Sequence, residues 1–493
     1  MFYAKVNSPK SKRARTYRVN SFGATINDTD ENLLPLSAGE LCYNVRTDDG
    51  ALKGGKGFTY ATLPQGNGYD DWMLPSLGTE NAKEVFYYRR YDSVNNVQDD
   101  RIIVNTGSQR IYELKLNNTS NTFHQINGIS GQADMVAQNY RLNGQDVLLL
   151  CTSSGIYTYD GTSATLNADT PYVISMCVLY ERAFAVLGTD RYKVWFSDEL
   201  DPTNWDVNSE DGGYIELADD GGAVIKVVSF LNYVYIFREY GIVRLTATAS
   251  QSDFSTYRLF TSSGRIYGNT VTVCGNKIVF LAEDGFYCFD GVETVKILPE
   301  LDKLDVAYKQ YAKASYHNGC YYVALRVNYD DGEVMGSERD YGILNTVIEL
   351  DLNKGRVIVV RGVDVYAFCV APTVEGSCLL TTFRTTAKNR LGMLTSHPYL
   401  MITSGVQRWR SGYTDMGYPE RYKVLRNFVI TTDTDIRVRF NLDGAEYIYD
   451  VYGKSTPQSI RLNKKFYKFG YGIDCTVANL RVTNPVITLD MEA

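Results

Sequence analysis

The residues best equipped for chemistry gather in VWFSDELDPTNWDV at 194–207, where Asp198, Glu199, Asp201 and Asp206 lie close together. Two carboxylates held about 5–10 Å apart can cleave a glycosidic bond, one as acid and the other as base or nucleophile. Alternating oxygen ligands closed by a distal glutamate would instead hold calcium. A second acidic group, Glu210, Asp211, Asp219 and Asp220, invites the same two readings. Neither group, nor NYDDGE at 328–333, has the calcium-loop spacing. Acidic turns between strands are more simply solvated corners. The chain has three histidines, His124, His317 and His397, far apart and in no His-x-x-x-His arrangement, so neither a metal centre nor a Ser/His/Asp triad is expected. LKGGKGF at 52–58 lacks the Lys-Ser/Thr ending of a phosphate loop and reads as a turn. No catalytic, cofactor-binding or metal residue is nominated, and no enzyme activity is expected.

A structural corner accounts for the same stretch. Val194 and Phe196 would face a core, with Trp195 covering the opposite side of the sheet. Asp198 and Asp201 can accept backbone N–H groups, and Pro202 fixes the backbone of the turn. Trp205 would then bury a large apolar surface where the chain re-enters the fold. Ser197, Asp198, Asp201, Pro202 and Trp205 are therefore the candidate corner.

The elements around it are short. The 39 tyrosines and 41 glycines favour strands and turns respectively. DVLLLCTSSGIYTYDGTSATL (146–166) and NKIVFLAEDGFYCFDGVETVKI (276–297) share one plan, a strand, a glycine turn, an aromatic strand, then Asp-Gly and another strand. RIIVNTGSQRIYELKLNN (101–118) and LNYVYIFREYGIVRLTA (231–247) echo it. Hairpins recurring in this way suit a radial stack of small sheets, so residues 59–404 are expected to form a β-propeller of unspecified blade number. Only ELDKLDVAYKQYAKAS (300–315) has helical spacing, through Leu301, Leu304, Tyr308 and Tyr311. From 405 to 493 the alternation changes. In IRVRFNL, Ile436, Val438, Phe440 and Leu442 share one side and Arg437 and Arg439 the other, as in a β-sandwich. Residues 1–58 form an extended N-terminal arm and lead-in strands. The expectation is thus an all-β chain in three segments.

The net charge of −7 argues against a general nucleic-acid binder. Two places depart from it. The start clusters Lys10, Lys12, Arg13 and Arg15, and the C-terminal region carries Arg408, Arg410, Arg421 and Lys423. These eight are candidate docking residues for acidic partners, with a solvated basic surface as the alternative. Nine cysteines, none in Cys-x-x-Cys, read as buried thiols in a reducing compartment. No apolar run of about eighteen residues is present, so no membrane span is expected.

Several of these motifs together resemble the β-propeller tail proteins of tailed bacteriophages, the tail tubular, nozzle or packaged-DNA-stabilisation family. They are NLLPLSAGELCYNVRTDDGALKGGKGF, GIYTYDG, VWFSDELDPTNW, YVYIFREYGIVRL, FTSSGRIYGNTVTVCGNKIVFLAEDGFYCFDG, NTVIELDLNKGRVIVV and WRSGYTDMGYPERYKVLR from Trp409. They occur in family order between about residues 20 and 480. The resemblance implies a virion structural protein assembled in the host cytoplasm. It implies a homo-oligomeric ring, commonly a homohexamer, beneath the portal and the head–tail adaptor. Such a ring would extend the DNA channel, retain packaged DNA, carry other tail proteins and need no cofactor. A carbohydrate- or receptor-binding tail propeller is the alternative, in which Trp72, Trp195, Trp205 and Trp409 would line a sugar-stacking cleft.

Overall fold

A computed structural model of the chain describes residues 13–23, 35–60, 62–64, 71–73, 77–78, 80–93, 95–116, 122–132, 134–167, 169–209, 211–248, 251–302, 304–332, 344–373, 376–384, 389–396, 405–477 and 479–491. No α-helix occurs among them. The chain divides into two units. One comprises Met1–Phe58, Gly355–Gly362 and Thr395–Ala493, and the other Thr59–Lys354 and Val363–Leu394.

The second unit is a propeller. Five four-stranded antiparallel sheets follow one another along the chain, their first strands being Ala82–Tyr88, Val136–Leu142, Val173–Leu179, Val224–Phe230 and Thr272–Cys274. A broader sheet then runs through Lys313–His317, Cys320–Asn328, Leu344–Asp351, the part of Arg356–Thr373 from Val363 onward, and Gly376–Arg384. The second strands of the five sheets are unbroken apolar runs because each sheet is covered on both faces, and alternate residues serve alternate neighbours. Leu148 and Leu150 pack against the first sheet through Ile103 and Tyr88, whereas Leu149 and Cys151 pack against the third through Ala183 and Ala185. Phe184 and Val186 then meet Val234 and Ile236 of the fourth sheet. Tyr235 and Phe237 in turn meet Phe280 and Phe289 of the fifth. Tyr321 of the broad sheet contacts Phe286 and donates to the Thr270 carbonyl at 2.9 Å. Cys369 and Leu380 pack on Ile102 and Val104 of the first sheet, which closes the ring.

The repeated Asp-Gly turns have one geometry. Asp160 Oδ1 accepts the N–H groups of Thr162 and Ser163 at 2.7 and 2.8 Å, and Asp290 Oδ1 those of Val292 and Glu293 at 2.9 and 2.8 Å. Gly161 and Gly291 follow at φ 91° and 104°, where only glycine is unstrained. The expected helix at 300–315 does not form. Leu298 and Tyr308 take left-handed backbone at φ 57° and 51°, leaving the short 3-10 turns Pro299–Leu301 and Lys309–Tyr311 around the strand Asp305–Ala307.

The first unit is a sandwich of a six-stranded and a five-stranded sheet. Leu425, Phe428, Ile487 and Leu489 from one sheet meet Val438, Phe440, Ile473 and Trp409 from the other. The expected separation of 1–58 from 405–493 is corrected here, because N-terminal strands complete both sheets. Arg13–Arg18 pairs with Arg481–Met491, and Gly39–Tyr43 with Gln407–Ser411. The arm, extended from Arg13 onward, thus covers a backbone edge that would otherwise be open. Lys10 and Lys12 lie outside the described residues.

Candidate functional site

In the propeller, the acidic stretch is tied to its own backbone. Ser197 is fully buried, accepting the Ala183 N–H at 3.1 Å and donating to the Asp198 carbonyl at 2.9 Å. Asp198 and Asp201 form a bridge across the turn. Asp201 Oδ1 accepts the Thr203 N–H at 2.9 Å, and Asp198 accepts Asn204 Nδ2 and Ser209 Oγ, both at 2.6 Å. The Pro202 carbonyl accepts Trp205 Nε1 at 2.9 Å, and the buried indole packs with Met176, Ala183 and Ala185. Val194 and Phe196 enter the seam with the fourth sheet, and Trp195 leans on the opposite seam, its ring 5.1 Å from Tyr214.

Sequence reasoning missed the arginine behind this corner. Arg182, buried on the second strand of the sheet, donates to the carbonyls of Ser197 and Asp211. Arg101 does the same between the first two sheets, reaching Glu113, the Tyr159 hydroxyl and the Gly161 carbonyl. Arg238 binds the Leu217 and Gly222 carbonyls and pairs with Asp219. Asp219 and Asp220 also pair with Arg258, at 3.0 and 2.6 Å, so these acids hold strands together. Glu210 lies outside the described residues. A signal was present, since each arginine opens or closes an apolar run, where a charge is costly unless it is paired.

The docking candidates of the sandwich separate into internal and external groups. Arg408 and Lys423 are each 1% exposed, which corrects their nomination as docking residues. Arg408 meets Asp474 through two bonds, Nε to Oδ1 at 2.8 Å and Nη2 to Oδ2 at 2.9 Å, and Arg439 Nε adds a third at 2.7 Å. Burial alone would raise the Asp474 carboxyl, but the bonds from Arg408 and Arg439 hold it below its ordinary value. Lys423 Nζ donates to the carbonyls of Tyr418, Arg421 and Tyr467, and burial pulls its ammonium below the ordinary value. Arg410 is half-buried beside Gly472. The side chain of Arg13 lies outside the described residues.

Arg15 and Arg421 stay at the surface, in a zone of cations laid over tyrosines. The Arg15 guanidinium sits 5.0 Å from the Tyr418 ring and donates to its hydroxyl. Lys465 lies 5.8 Å from Tyr422, Lys468 5.7 Å from Tyr413 and Lys464 5.1 Å from Tyr447. The rings of Tyr422 and Tyr467 are 3.8 Å apart. Strand register sets Thr16, Thr488, Asn427 and Arg461 in one row on the outer face of the six-stranded sheet. This zone belongs to a unit with 24 Lys and Arg against 16 Asp and Glu, a net of +8. The propeller unit has 26 against 41, a net of −15. A basic surface carrying planar rings can attract a polyanion or an acidic protein face.

No group of three or more potential metal ligands occurs among the described residues. His124 is exposed, His317 Nε2 lies 2.9 Å from the Ser377 carbonyl oxygen, and His397 lies outside the described residues.

No family model matches the chain, and no curated protein matches it. Among solved structures, BBS1N in complex with ARL6DN, in a mercury-soaked crystal, gives a TM-score of 0.38 at 12% identity, covering 60% of this chain and 88% of that one. Raptor of Chaetomium thermophilum gives 0.41 at 9% identity, covering 69% of this chain and 29% of its own. At such levels of likeness, the propeller assignment stands on the sheets themselves.

Proposed function

We propose that the chain is a structural component of a bacteriophage tail, a homo-oligomeric ring below the portal and adaptor that extends the DNA channel, retains packaged DNA and attaches further tail parts. The observation that carries this reading is the corner Ser197–Trp205. It is one of the motifs whose order along the chain makes the phage-family resemblance, and Ser197, Asp198, Asp201, Asn204 and Trp205 are all used to hold the turn. A part whose task is to hold neighbours needs stiff seams and charged outer surfaces, and it needs no reactive cleft. The division of charge, +8 against −15, suits such a role. An acidic wall lets DNA slide without capturing it by counterion release, while a basic, tyrosine-lined surface suits acidic neighbours.

The tryptophan-lined cleft of the alternative reading is not favoured. Trp205 and Trp409 are 6% and 0% exposed, and Trp195 packs into a seam between sheets. The Trp72 side chain lies outside the described residues. Electron microscopy of the purified chain, alone and mixed with a head–adaptor complex, tests the proposal. End-on rings that thin out as salt is raised are the expected result. A chain that stays a single globule under both conditions overturns it.

A further inference from the structure

The first strands of successive propeller sheets approach one another and form the inner wall of the ring. A cavity of about 410 Å³ opens among them, between the first, second, fifth and broad sheets. Its volume lies in the range of small-molecule sites. Five carboxamide side chains line it, Asn105, Gln109, Gln132, Asn269 and Gln310. They come from separate turns and strand ends of the chain, yet they converge on one space.

The charges in the cavity compensate one another. Lys313 Nζ lies 3.6 Å from Glu84 Oε1 and 3.3 Å from Asp134 Oδ1. Glu84 Oε2 accepts Asn105 Nδ2 at 3.0 Å and the Met135 N–H at 3.1 Å. Lys83 Nζ stands 4.7 Å over the Tyr366 ring. Two ammonium groups against two carboxyls leave no net charge to draw in an ion.

Two polar atoms at the site have no protein partner among the described residues, Asn105 Oδ1 and Gln132 Nε2. Asn105 is 1% exposed, and its orientation is settled because Nδ2 faces two acceptors, Glu84 Oε2 and the Gln132 carbonyl. Gln132 is likewise oriented, since its Oε1 accepts the Ser153 N–H at 2.7 Å. Asn105 Oδ1 lies against the backbone of Gly131, so Asn105 and Gln132 are spent in fixing the wall of the cavity, and Gln109, Asn269 and Gln310, all exposed, are the carboxamides left to meet a ligand. At the mouth, Tyr311 is 54% exposed and offers an aromatic ring.

We infer that this cavity binds a neutral saccharide, its hydroxyls paired with the carboxamides and its apolar face laid on Tyr311. Gln109, Asn269 and Gln310 can each both donate and accept, which matches adjacent hydroxyls that do the same. A compensated charge set discriminates against acidic and basic sugars, and the ring supplies apolar contact that costs no hydrogen bond. This site is distinct from the tryptophan cleft considered above, and it does not depend on ring assembly.

Ligand-observed NMR on the full chain provides the test, with glucose, galactose, mannose, N-acetylglucosamine and their disaccharides as probes and glucuronate and glucosamine as charged controls. At least one neutral probe should bind more tightly than either charged control. A gain from monosaccharide to disaccharide would identify a glycan end as the source, and equal binding a free sugar. Gln310→Ala and Tyr311→Ala change exposed residues, so near-ultraviolet circular dichroism should stay unchanged while each weakens binding about tenfold, the loss of one good contact. Absence of binding by every neutral probe, preference for a charged one, or binding indifferent to both variants overturns the inference. Electron microscopy of the same samples reads ring assembly separately, so failure of one reading is not failure of the other.

Discussion

In the sandwich unit, net +8, a buried carboxylate, Asp474, is shared by Arg408 and Arg439 within the five-stranded sheet. In the propeller unit, net −15, buried arginines are distributed, with Arg101, Arg182 and Arg238 serving different sheets. Arg182 and Arg238 bind mostly backbone carbonyls, with the half-exposed Asp211 and Asp219 as secondary partners, whereas Arg101 also meets the buried Glu113. The sandwich arginine binds a carboxylate that has itself been taken out of water. Removing a cation therefore has different consequences at Arg408 and at Arg238. At Arg408 it leaves a buried anion short of a partner, and at Arg238 it frees carbonyls and leaves a half-exposed anion that keeps Arg258.

The largest expected effect follows from that difference. Arg408→Ala leaves Asp474 buried with Arg439 alone and should cost about 3–5 kcal/mol, the usual loss when one partner of a buried pair is removed. Arg238→Ala leaves Asp219 half-exposed and still 3.0 Å from Arg258, and should cost about 1–3 kcal/mol. Urea denaturation followed by hydrogen exchange on each unit reads both, and equal losses would erase the distinction. The pH dependence has a definite sign. Asp474 is held below its unfolded value, so its stabilisation is present above about pH 3.9 and is lost as pH falls through the lower folded value. The gap between wild type and Arg408→Ala should accordingly narrow on acidification.

A smaller effect compares two blades of the propeller. Gly161 and Gly291 occupy equivalent turns with positive φ, so alanine at either should cost about 1–3 kcal/mol in backbone strain. Their surroundings differ. A Cβ at 161 would stand 2.6 Å from Arg90 Nε and 2.9 Å from Arg101 Nη2, whereas at 291 the nearest atom is the Tyr235 hydroxyl at 3.2 Å. Gly161→Ala should be the more damaging in thermal melts, because it also displaces the arginines that join the first two sheets.

The repeated turns were legible in the sequence because their information is local. An aspartate before a glycine signals its own hydrogen bonds and its own φ, and the hairpins at 146–166 and 276–297 follow from it. The corner at 194–207 was legible for the same reason. Pairing of Arg13 with Met491 carries no local signal, so the union of the two chain ends could not be read. Charge misled in a related way. Lys423 looks like a surface residue until three carbonyls, one of them Tyr467 far along the chain, are seen to close around it. The helical spacing at 300–315 failed because the left-handed Tyr308 interrupts it and the left-handed Leu298 turns the chain just before it, and neither is a glycine that would announce the break.

The smallest effect on stability is the most direct probe of the basic surface. Arg421 and Arg461 are exposed, and reversing both to glutamate takes the sandwich unit from +8 to +4. Surface substitutions of this kind should each move stability by about 0.5 kcal/mol or less. Electrostatic binding should respond far more, since attraction of a polyanion scales with the cations that displace its counterions. On a heparin column the wild type should be retained at low salt, and the Arg421→Glu, Arg461→Glu double variant should elute at clearly lower salt. Asp220→Asn, which removes one acidic charge from the propeller and no cation from the basic surface, should leave elution nearly unchanged, because retention follows the cations that displace the polyanion's counterions. If the propeller variant shifts elution as much as the sandwich pair does, retention reports the net charge of the whole chain, and the tyrosine-lined surface has no special part in it.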